Sequence, residues 1–266
     1  MHEYASLNGV LSRSYNADFP VSATGLLYGK GVFTSIAVIE GEPFLWSKHW
    51  KRLRANSAAI SLDLSNIDEG LILQELRATI VANRVTNGRS RITLIEMSPG
   101  AVWPGEPAGG TARFILTGER RTQTEPLSLT ISNFGLNSTS PLAGVKSCNY
   151  LENHLALEEA GKRGFDEAVR LNERDEVTGG CMANVFWSKD GKLYTPSLKT
   201  GCLAGTTRAH FLENFECEEV EAGVEELVSA DSVFLTSAGL GIKPASVLDG
   251  KALANVHSSI LAFSSF

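Results

Sequence analysis

The chain has 266 residues, of which 43% are hydrophobic and 20% are charged, and its formal net charge is −6. This length and composition predict a globular protein with either one large core or two smaller ones. The acidic balance, without any run of basic residues, argues against a surface for nucleic acid or for an anionic membrane.

The sequence carries no targeting or metal-binding pattern. Residues 1–20 contain no long apolar segment, so we expect no signal peptide, and Gly, Pro or a charged residue interrupts every apolar run. The four cysteines show no CxxC or CxxH spacing, which predicts reduced thiols and no metal site: Cys148, Cys181, Cys202 and Cys217. We therefore expect a cytoplasmic protein.

Strand and helix patterns alternate in the first part of the chain. A β-branched, apolar run predicts a strand over 31–40, which ends at the turn-forming sequence EGEP. Apolar residues at helical spacing then predict a helix that begins near Ser47: Trp46, Trp50, Leu53 and Ile60. Ser65, three residues before Asp68, is typical of a capping box and predicts a second helix through Ala82.

Two further strands, over 91–97 and 112–117, flank a loop rich in Gly and Pro. The loop carries Trp103 and is either a flexible connection or the wall of a site. Residues 118–126 are polar throughout and are typical of a linker. The chain is thereby divided into an N-terminal α/β domain (1–117), the linker (118–126) and a C-terminal domain (127–266).

The C-terminal part also mixes strands with helices. Three patterns predict its strands: alternation at Leu127, Leu129 and Ile131, a turn over 172–180 between two strands, and the hairpin dipeptide Asp190-Gly191. Its helices are predicted over 150–162, 206–214 and 224–229. In the first helix, Leu151, Leu155 and Ala156 are expected to face inward, and Gly164 is expected to end it.

Lys146 is the most informative residue of the sequence. It lies at the junction between a loop and a helical segment, and two asparagines and a tyrosine follow it. Most lysines are solvated surface charges, but burial in an apolar pocket disfavours the ammonium form and lowers the pKa. A neutral amine attacks an aldehyde, so a buried lysine suits a Schiff base with pyridoxal phosphate (PLP). Lys146 alone does not decide between these alternatives.

Seven segments of the chain, in a single order, carry a more specific signal. They are LLYGKGVFTSIAVIEG (26–41), HWKRL (49–53), KSCNYLENHLALEEA from Lys146, GFDEAVRLN from Gly164, VTGGCMANVFW from Val177, YTPSLKTGCLAGTTR from Tyr194 and FLTSAGLGIKP from Phe234. Together they resemble the fold type IV family of PLP enzymes, which holds branched-chain and D-amino acid aminotransferases and 4-amino-4-deoxychorismate lyase. The resemblance implies a two-domain α/β (α+β) fold with the cofactor in a cleft between the domains, and a homodimer with both active sites near the interface.

Within that family, two segments look most like the lyase. They are Phe33-Thr34-Ser35 and Cys181-Met182-Ala183-Asn184; aminotransferases usually carry Glu at the Thr34 position. The resemblance therefore implies a PLP-dependent lyase that converts the small-molecule substrate 4-amino-4-deoxychorismate to 4-aminobenzoate and pyruvate, a step toward folate. Two alternatives stay open: a branched-chain or D-amino acid aminotransferase, and a PLP-binding protein without turnover.

Five residues are candidate ligands of the cofactor phosphate. Thr206 and Thr207 precede a helical pattern, where hydroxyls and backbone N–H groups would meet an anion, although the same residues also suit an ordinary N-cap. Thr236 and Ser237 follow an apolar strand and add two hydroxyl donors. The resemblance further implies Arg52, in the His-x-x-Arg pattern, as a phosphate ligand.

The remaining candidates concern the cofactor ring and the reaction. Where Gly179 stands, family members usually carry a Glu that faces the pyridine nitrogen and keeps the ring a deep electron sink. The absence of this Glu favours elimination to an aromatic product over amino-group transfer. With one residue deleted after Lys146, the resemblance brings Tyr150 near the ring hydroxyl; a core tyrosine at a helix start is the alternative. Lys146 is expected to act as the general base, with Thr34 orienting Lys146 or the leaving group.

Overall fold

The computed structural model describes residues 1–16, 18–100, 109–120 and 125–263. The loop residue Trp103 and the linker residues 121–124 lie outside these ranges, as do the expectations attached to them. The chain divides into two compact units: Met1–Arg121 with Val145–Asn149, and Thr122–Gly144 with Tyr150–Phe266. Val145–Asn149, which the predicted boundaries assign to the C-terminal domain, thus belongs to the first unit. The domain boundaries themselves stay a prediction.

The first unit is built on an antiparallel sheet. Its strands are β1 (Tyr4–Leu7), β2 (Val10–Arg13), β3 (Gly31–Ile39), β4 (Glu42–Pro43), β5 (Gly88–Glu96) and β6 (Thr111–Gly118). Among the described residues they follow the order β2-β1-β6-β5-β3-β4. Its helices are α1 (Thr24–Tyr28), α2 (Trp46–Ala59) and α3 (Glu69–Ala82), so the two helices predicted in this part of the chain are close to the observed α2 and α3.

One face of this sheet packs against α2 and α3. The core joins three sets of buried side chains: Val32, Ile36 and Val38 from β3, Trp50 and Leu53 from α2, and Ile72, Leu76 and Ile80 from α3. The turn between β3 and β4 has Glu40 at φ 51° and Gly41 at φ 81°, the left-handed pair that a two-residue hairpin requires. Because side chains alternate along a strand, Phe33 and Ser35 lie on the other face of β3.

The start of α3 differs from the predicted capping box. Asp68 is the N-cap, and its Oδ1 accepts a 2.8 Å hydrogen bond from the Leu71 amide. The Ser65 amide and hydroxyl instead donate to the Asp63 carboxylate, at 2.9 and 3.0 Å. Ser65 is therefore part of a local turn, because an aspartate nearer to the helix is the better cap.

The second unit contains a mixed sheet. Its strands are β7 (Leu127–Ile131), β8 (Glu167–Leu171), β9 (Val177–Gly180), β10 (Asn184–Lys189), β11 (Lys192–Pro196), β12 (Glu218–Val220), β13 (Ser232–Ser237), β14 (Gly241–Leu248) and β15 (Lys251–Ala252). In the described part of the chain the order is β12-β11-β10-β13-β14-β7-β8-β9, with β15 against β14. The pairs β11/β12, β14/β7 and β7/β8 are parallel. The helices are α4 (Leu151–Lys162), α5 (Thr206–Leu212), α6 (Val224–Val228) and α7 (Ser258–Ala262).

Two predictions for this unit need correction. The turn predicted over 172–180 is shorter, because Val177–Gly180 forms β9 and pairs with β8. Leu151 and Leu155 do not face inward but are 68% and 46% exposed. The small residues Ala156 and Ala160 are buried instead, and they pack against Ala168 of β8. Because α4 lies close to the sheet, only small side chains fit between the two. The two leucines therefore lie on a different face of α4.

The hairpin predicted at Asp190-Gly191 is confirmed. Asp190 has φ 50° and Gly191 has φ 75°, and β10 pairs with β11 across this turn. Within the described ranges, none of the helices has the length and apolar character that a bilayer crossing requires.

Candidate active site

Lys146 is held against β3 by main-chain hydrogen bonds. The Phe33 amide donates to the Lys146 carbonyl at 2.9 Å, and the Cys148 amide donates to the Gly31 carbonyl at 2.8 Å. Val32 and Ser147 form an antiparallel bridge between these two bonds. The Lys146 amide itself donates to Asn56 Oδ1, on α2, at 2.9 Å. The backbone of Lys146 is therefore fixed by β3 on one side and by Asn56 of α2 on the other.

The side chain of Lys146 is buried in a positively charged part of the first unit. Its Nζ lies 4.5 Å from the centre of the Phe33 ring. Burial lowers the pKa of Lys146 well below its ordinary value, and the charges of Arg52 and Arg91 lower it further. A larger share of the amine is therefore unprotonated at neutral pH than in a solvated lysine, as attack on an aldehyde requires.

Thr34 lies on the helix-facing side of β3 and is engaged with α2. Its hydroxyl oxygen accepts a 2.8 Å hydrogen bond from Arg52 Nη2, and it lies 2.7 Å from His49 Nδ1. Burial lowers the pKa of His49 well below its usual value, and Arg52 and Lys146 add to this effect. The imidazole is therefore neutral. Through these contacts, Thr34 orients Arg52. A direct action of Thr34 on Lys146 or on a leaving group stays a prediction.

Sequence reasoning gave no role to His49 or Arg91. His49 and Arg52 are three residues apart on α2, a spacing that brings both side chains to one helix face, and this signal was available. Arg91 is opposite Ser35 in the β3–β5 pair, and its guanidinium lies 3.6 Å from the centre of the Phe33 ring. Only the strand register reveals that Arg91 shares a face with Phe33.

Thr236 is the clearest candidate ligand in the second unit. It is 1% exposed, and its hydroxyl has no hydrogen-bond partner among the described residues. A buried hydroxyl without a partner costs about 1–3 kcal/mol, so such groups usually serve a ligand or a water. This atom fits an anionic oxygen as its acceptor.

Asn184 brings the loop before α5 to the same strand. It is paired with Thr236 in the β10–β13 register, and its Nδ2 donates to the Leu203 carbonyl at 2.7 Å. A Cβ at Gly205 would lie 1.9 Å from Asn184 Oδ1, so only glycine allows this approach. Thr206 and Thr207, both buried, follow directly at the start of α5.

The other predicted phosphate residues divide into two cases. Ser237 Oγ accepts a 3.1 Å bond from the Leu240 amide, which leaves its O–H able to donate. Arg52 belongs to the first unit, whereas the four hydroxyl residues belong to the second. Their convergence on one anion stays a prediction.

Gly179 and Tyr150 occupy defined positions in the second unit. Gly179 is in β9, directly opposite Arg170 of β8, and a Cβ there would lie 3.2 Å from the Ala183 carbonyl oxygen. Tyr150 immediately precedes α4, and its ring lies edge-on to His154, with 6.5 Å between ring centres. Their predicted contacts with the cofactor ring stay predictions.

Residues 31–248 match the sequence profile of a family described as Amino-transferase class IV. The chain belongs to this family. It is 30% identical over 230 residues to the aminodeoxychorismate lyase of Bacillus subtilis strain 168, covering 83% of this chain and 78% of that one.

Solved structures agree with the fold. A putative 4-amino-4-deoxychorismate lyase from Legionella pneumophila has a TM-score of 0.87 at 26% identity, with 94% of each chain covered. A branched-chain amino acid aminotransferase from T.th., determined with pyridoxamine 5′-phosphate, has a TM-score of 0.90 at 21% identity, covering 99% of this chain and 92% of that one. The predicted mixed α/β fold type IV and the predicted cofactor, PLP, are thereby confirmed.

The residues of this chain fit PLP. Lys146 offers an amine with a lowered pKa, and Thr236 offers a buried hydroxyl that needs an acceptor. The protein is a PLP-dependent enzyme of the class IV aminotransferase family.

Proposed function

We propose that this protein is a lyase that converts 4-amino-4-deoxychorismate to 4-aminobenzoate and pyruvate. The observation that carries the proposal is Gly179, because β9 provides no carboxylate at the position where the family usually places one. The likeness to the Bacillus subtilis lyase, at 30% identity, supports the same substrate.

The first unit supplies the reactive amine of the proposed reaction. Lys146 Nζ is desolvated and lies near two guanidinium groups, so it loses its proton more readily than a solvated lysine. We propose that Lys146 binds the cofactor aldehyde in the resting enzyme. The substrate amine would take its place there, which would free the Lys146 amine to remove the proton from the amine-bearing carbon.

PLP, when bound, withdraws electrons from the carbon that carries the amine. Loss of a proton from that carbon is followed by cleavage of the adjacent carbon–oxygen bond, which releases the enolpyruvyl group. The enolpyruvate takes up one proton and becomes pyruvate, while the ring becomes aromatic. Atoms balance without water or an oxidant, and aromatisation supplies the driving force.

Positive charge in the first unit suits the anionic groups of the cofactor and substrate. Arg52 is fixed by Thr34, and Arg91 lies over the Phe33 ring. Charge-assisted contacts to phosphate or carboxylate are stronger than neutral ones. We propose that Arg52 binds the phosphate together with Thr206, Thr207, Thr236 and Ser237, and that Tyr150 lies near the ring hydroxyl.

A direct comparison of substrates tests the proposal. The purified protein, loaded with PLP, is given 4-amino-4-deoxychorismate, and in parallel a panel of L- and D-amino acids with keto acids. We expect 4-aminobenzoate and pyruvate in equal amounts and little amino-group transfer. Efficient transamination without 4-aminobenzoate would establish the aminotransferase alternative, and PLP binding without either product would establish the non-catalytic one.

The proposed biological setting is a homodimer in the cytoplasm that serves folate synthesis. The support for self-association is a set of exposed apolar side chains on α1: Leu26, Leu27 and Tyr28, which are 55%, 53% and 51% exposed. Light scattering on the purified protein should give twice the chain mass of 28.6 kDa. A monomer at micromolar concentration would contradict the dimer without affecting the proposed reaction.

A further inference from the structure

Arg170 and Gly179 are directly opposite residues of the antiparallel pair β8–β9. Opposite residues of such a pair point to the same face, with Cβ positions about 4.5–5.5 Å apart. Gly179 has no side chain, so β9 places no side chain opposite Arg170 in this pair. The Arg170 side chain is 3% exposed. A buried arginine thus shares a strand face with the directly opposite position, where the family usually carries a carboxylate.

Main-chain carbonyls hold one side of this guanidinium. Arg170 Nε donates to the Phe134 carbonyl at 3.1 Å, and Nη2 donates to the Gly135 carbonyl. Nη2 also lies 3.4 Å from a carboxylate oxygen of Glu152, whose side chain is 79% exposed. That ion pair is therefore long and screened by solvent. Nη1 has no hydrogen-bond partner in the described part of the chain, so a fixed donor remains available to a ligand.

Glu167 is a further charged group near this segment, and it does not replace the missing carboxylate. It is three residues before Arg170 on β8 and so points to the opposite face. Its oxygens accept from the amides of Ala168, Cys181 and Met182, at 3.0, 2.8 and 3.0 Å. Burial raises the pKa of Glu167, although these bonds oppose the rise.

The positive charge of Arg170 also acts on Cys181, which lies two residues after Gly179. Burial raises the pKa of the Cys181 thiol, Glu167 raises it further, and the positive charge of Arg170 works in the opposite direction. The guanidinium is thus within electrostatic range of the residues that follow Gly179.

We infer that Arg170 is a cofactor-binding residue whose guanidinium donates a hydrogen bond to the pyridine nitrogen of PLP. Arginine remains protonated and has donors only, so a nitrogen that faces it must act as the acceptor and stays unprotonated. A neighbouring positive charge also disfavours protonation of that nitrogen. This inference rests on the PLP site but not on the identity of the substrate.

The inferred contact explains how this chain functions with glycine at position 179. An unprotonated ring withdraws electrons weakly, which suits a reaction with a driving force of its own. A carboxylate at position 179 would hold a proton on the ring nitrogen, whereas Arg170 would keep that nitrogen unprotonated. The ring nitrogen would still have a hydrogen-bond partner.

The decisive measurement is the protonation state of the ring nitrogen in the loaded protein. PLP labelled with ¹⁵N in the ring is bound, and the nitrogen resonance is followed from about pH 5 to about pH 9, which brackets neutrality. We expect the unprotonated position throughout in the wild-type protein. Arginine labelled with ¹⁵N should show a scalar coupling between a guanidinium nitrogen and the ring nitrogen. A ring nitrogen that is protonated at neutral pH would overturn the inference.

Variants separate this contact from a purely structural role of Arg170. Arg170→Leu should weaken PLP binding by about tenfold to a hundredfold and move protonation of the nitrogen to higher pH. Arg170→Lys keeps the charge and should keep the nitrogen unprotonated, even if the loss of the carbonyl contacts lowers the melting temperature. Arg174→Leu, an exposed arginine in the turn after β8, is the matched control and should change neither quantity.

The outcomes that test the Arg170 contact differ from the outcomes that test the proposed reaction. Identical nitrogen titrations in wild-type and Arg170→Leu protein would refute the contact. If Arg170→Leu does not fold, the wild-type resonance and the Arg170→Lys variant still decide. Absence of 4-aminobenzoate, with an unprotonated nitrogen coupled to Arg170, would refute the proposed substrate and leave the contact intact.

Discussion

Arg52 Nη2 lies 2.8 Å from the hydroxyl oxygen of Thr34, and this bond fixes a cation of α2 to β3. The same hydroxyl is 2.7 Å from Nδ1 of the buried, neutral His49. Arg52 also lowers the pKa of Lys146. Thr34, on β3, therefore helps to fix the position of Arg52 relative to Lys146.

Loss of Arg52 should be more costly for cofactor retention than loss of its hydroxyl partner. A charge-assisted bond from arginine to phosphate is worth about 1.5–3 kcal/mol, so Arg52→Ala should weaken PLP binding by about tenfold to a hundredfold. Thr34→Val keeps the charge and loses only the fixed orientation, so a smaller loss is expected. Fluorescence titration measures both. Arg54→Ala, an exposed arginine of the same helix, is the control. Unchanged PLP affinity in Arg52→Ala would remove Arg52 from the site.

Lys146 should carry the cofactor covalently. Borohydride reduction of the PLP-loaded protein, followed by peptide mapping, should find the pyridoxyl group on Lys146. Lys146→Ala should abolish turnover and leave the circular dichroism spectrum unchanged. A label on another lysine, in a fully loaded sample, would show that the assignment is wrong.

Arg91 should help to keep Lys146 unprotonated. Its positive charge disfavours the ammonium form, so Arg91→Met should raise the pKa of Lys146 toward the value of a solvated lysine. The rate of PLP incorporation, measured by absorbance against pH, should then reach its plateau at higher pH than in the wild type. Arg89→Met removes an exposed arginine of the same strand and should leave the profile unchanged. Coincident profiles for Arg91→Met and wild type would exclude this electrostatic role.

Thr236 should show opposite effects on stability and on ligand binding. In the PLP-free protein its buried hydroxyl has no partner among the described residues, so Thr236→Val should keep or raise the melting temperature. The same variant should bind PLP about tenfold to a hundredfold more weakly, because a hydroxyl bond to a charged phosphate is lost.

Thr195→Val is the matched control for Thr236. The Thr195 hydroxyl donates to the Val185 carbonyl at 2.8 Å, so this variant should lose stability and keep PLP affinity. A Thr236→Val protein that binds PLP as tightly as wild type would exclude the hydroxyl as a ligand.

Two glycines should respond to alanine in opposite directions. A Cβ at Gly205 would lie 1.9 Å from Asn184 Oδ1, so Gly205→Ala should destabilise the fold by about 1–3 kcal/mol, the usual cost of overpacking. Gly161 is in α4, and a Cβ there would have nothing within 4 Å, so Gly161→Ala should stabilise by about 0.5–1 kcal/mol. Urea unfolding of the PLP-free protein measures both. Equal effects would mean that Asn184 moves aside without cost.

Elements with strong local signals were predictable from the sequence. The turn pair Asp190-Gly191 has a backbone requirement that few residues meet, and α2 and α3 carry apolar residues at helical spacing. The family-matched segments also pointed to Lys146, whose burial and lowered pKa the structure provides. Local propensity and the hydrophobic pattern determine the turn and the two helices, so one sequence suffices to find them, whereas Lys146 was assigned through the resemblance to the fold type IV family.

Features that depend on distant partners were not predictable. Leu151 and Leu155 follow helical spacing, yet the close approach of α4 to β8 buries Ala156 and Ala160 instead. Arg170 is an ordinary strand residue until the register of β8 and β9 sets it opposite Gly179. Arg91 and Phe33 likewise meet only through strand pairing. Tertiary structure determines which of these residues meet. The periodicity of a single segment carries no information about such contacts.

The hydrogen bonds that fix Lys146 beside β3 involve only peptide groups of residues 31–33 and 146–148. Every residue type except proline supplies those groups, so these bonds persist when the side chains of residues 33 and 147 change, and only the bond of the Lys146 amide to Asn56 depends on a side chain. We therefore expect substitutions at positions 33, 35 and 147 to change the surroundings of the Lys146 amine without detaching its backbone from β3. An attachment of this kind makes the position of the Lys146 backbone largely independent of the side chains that β3 presents beside it.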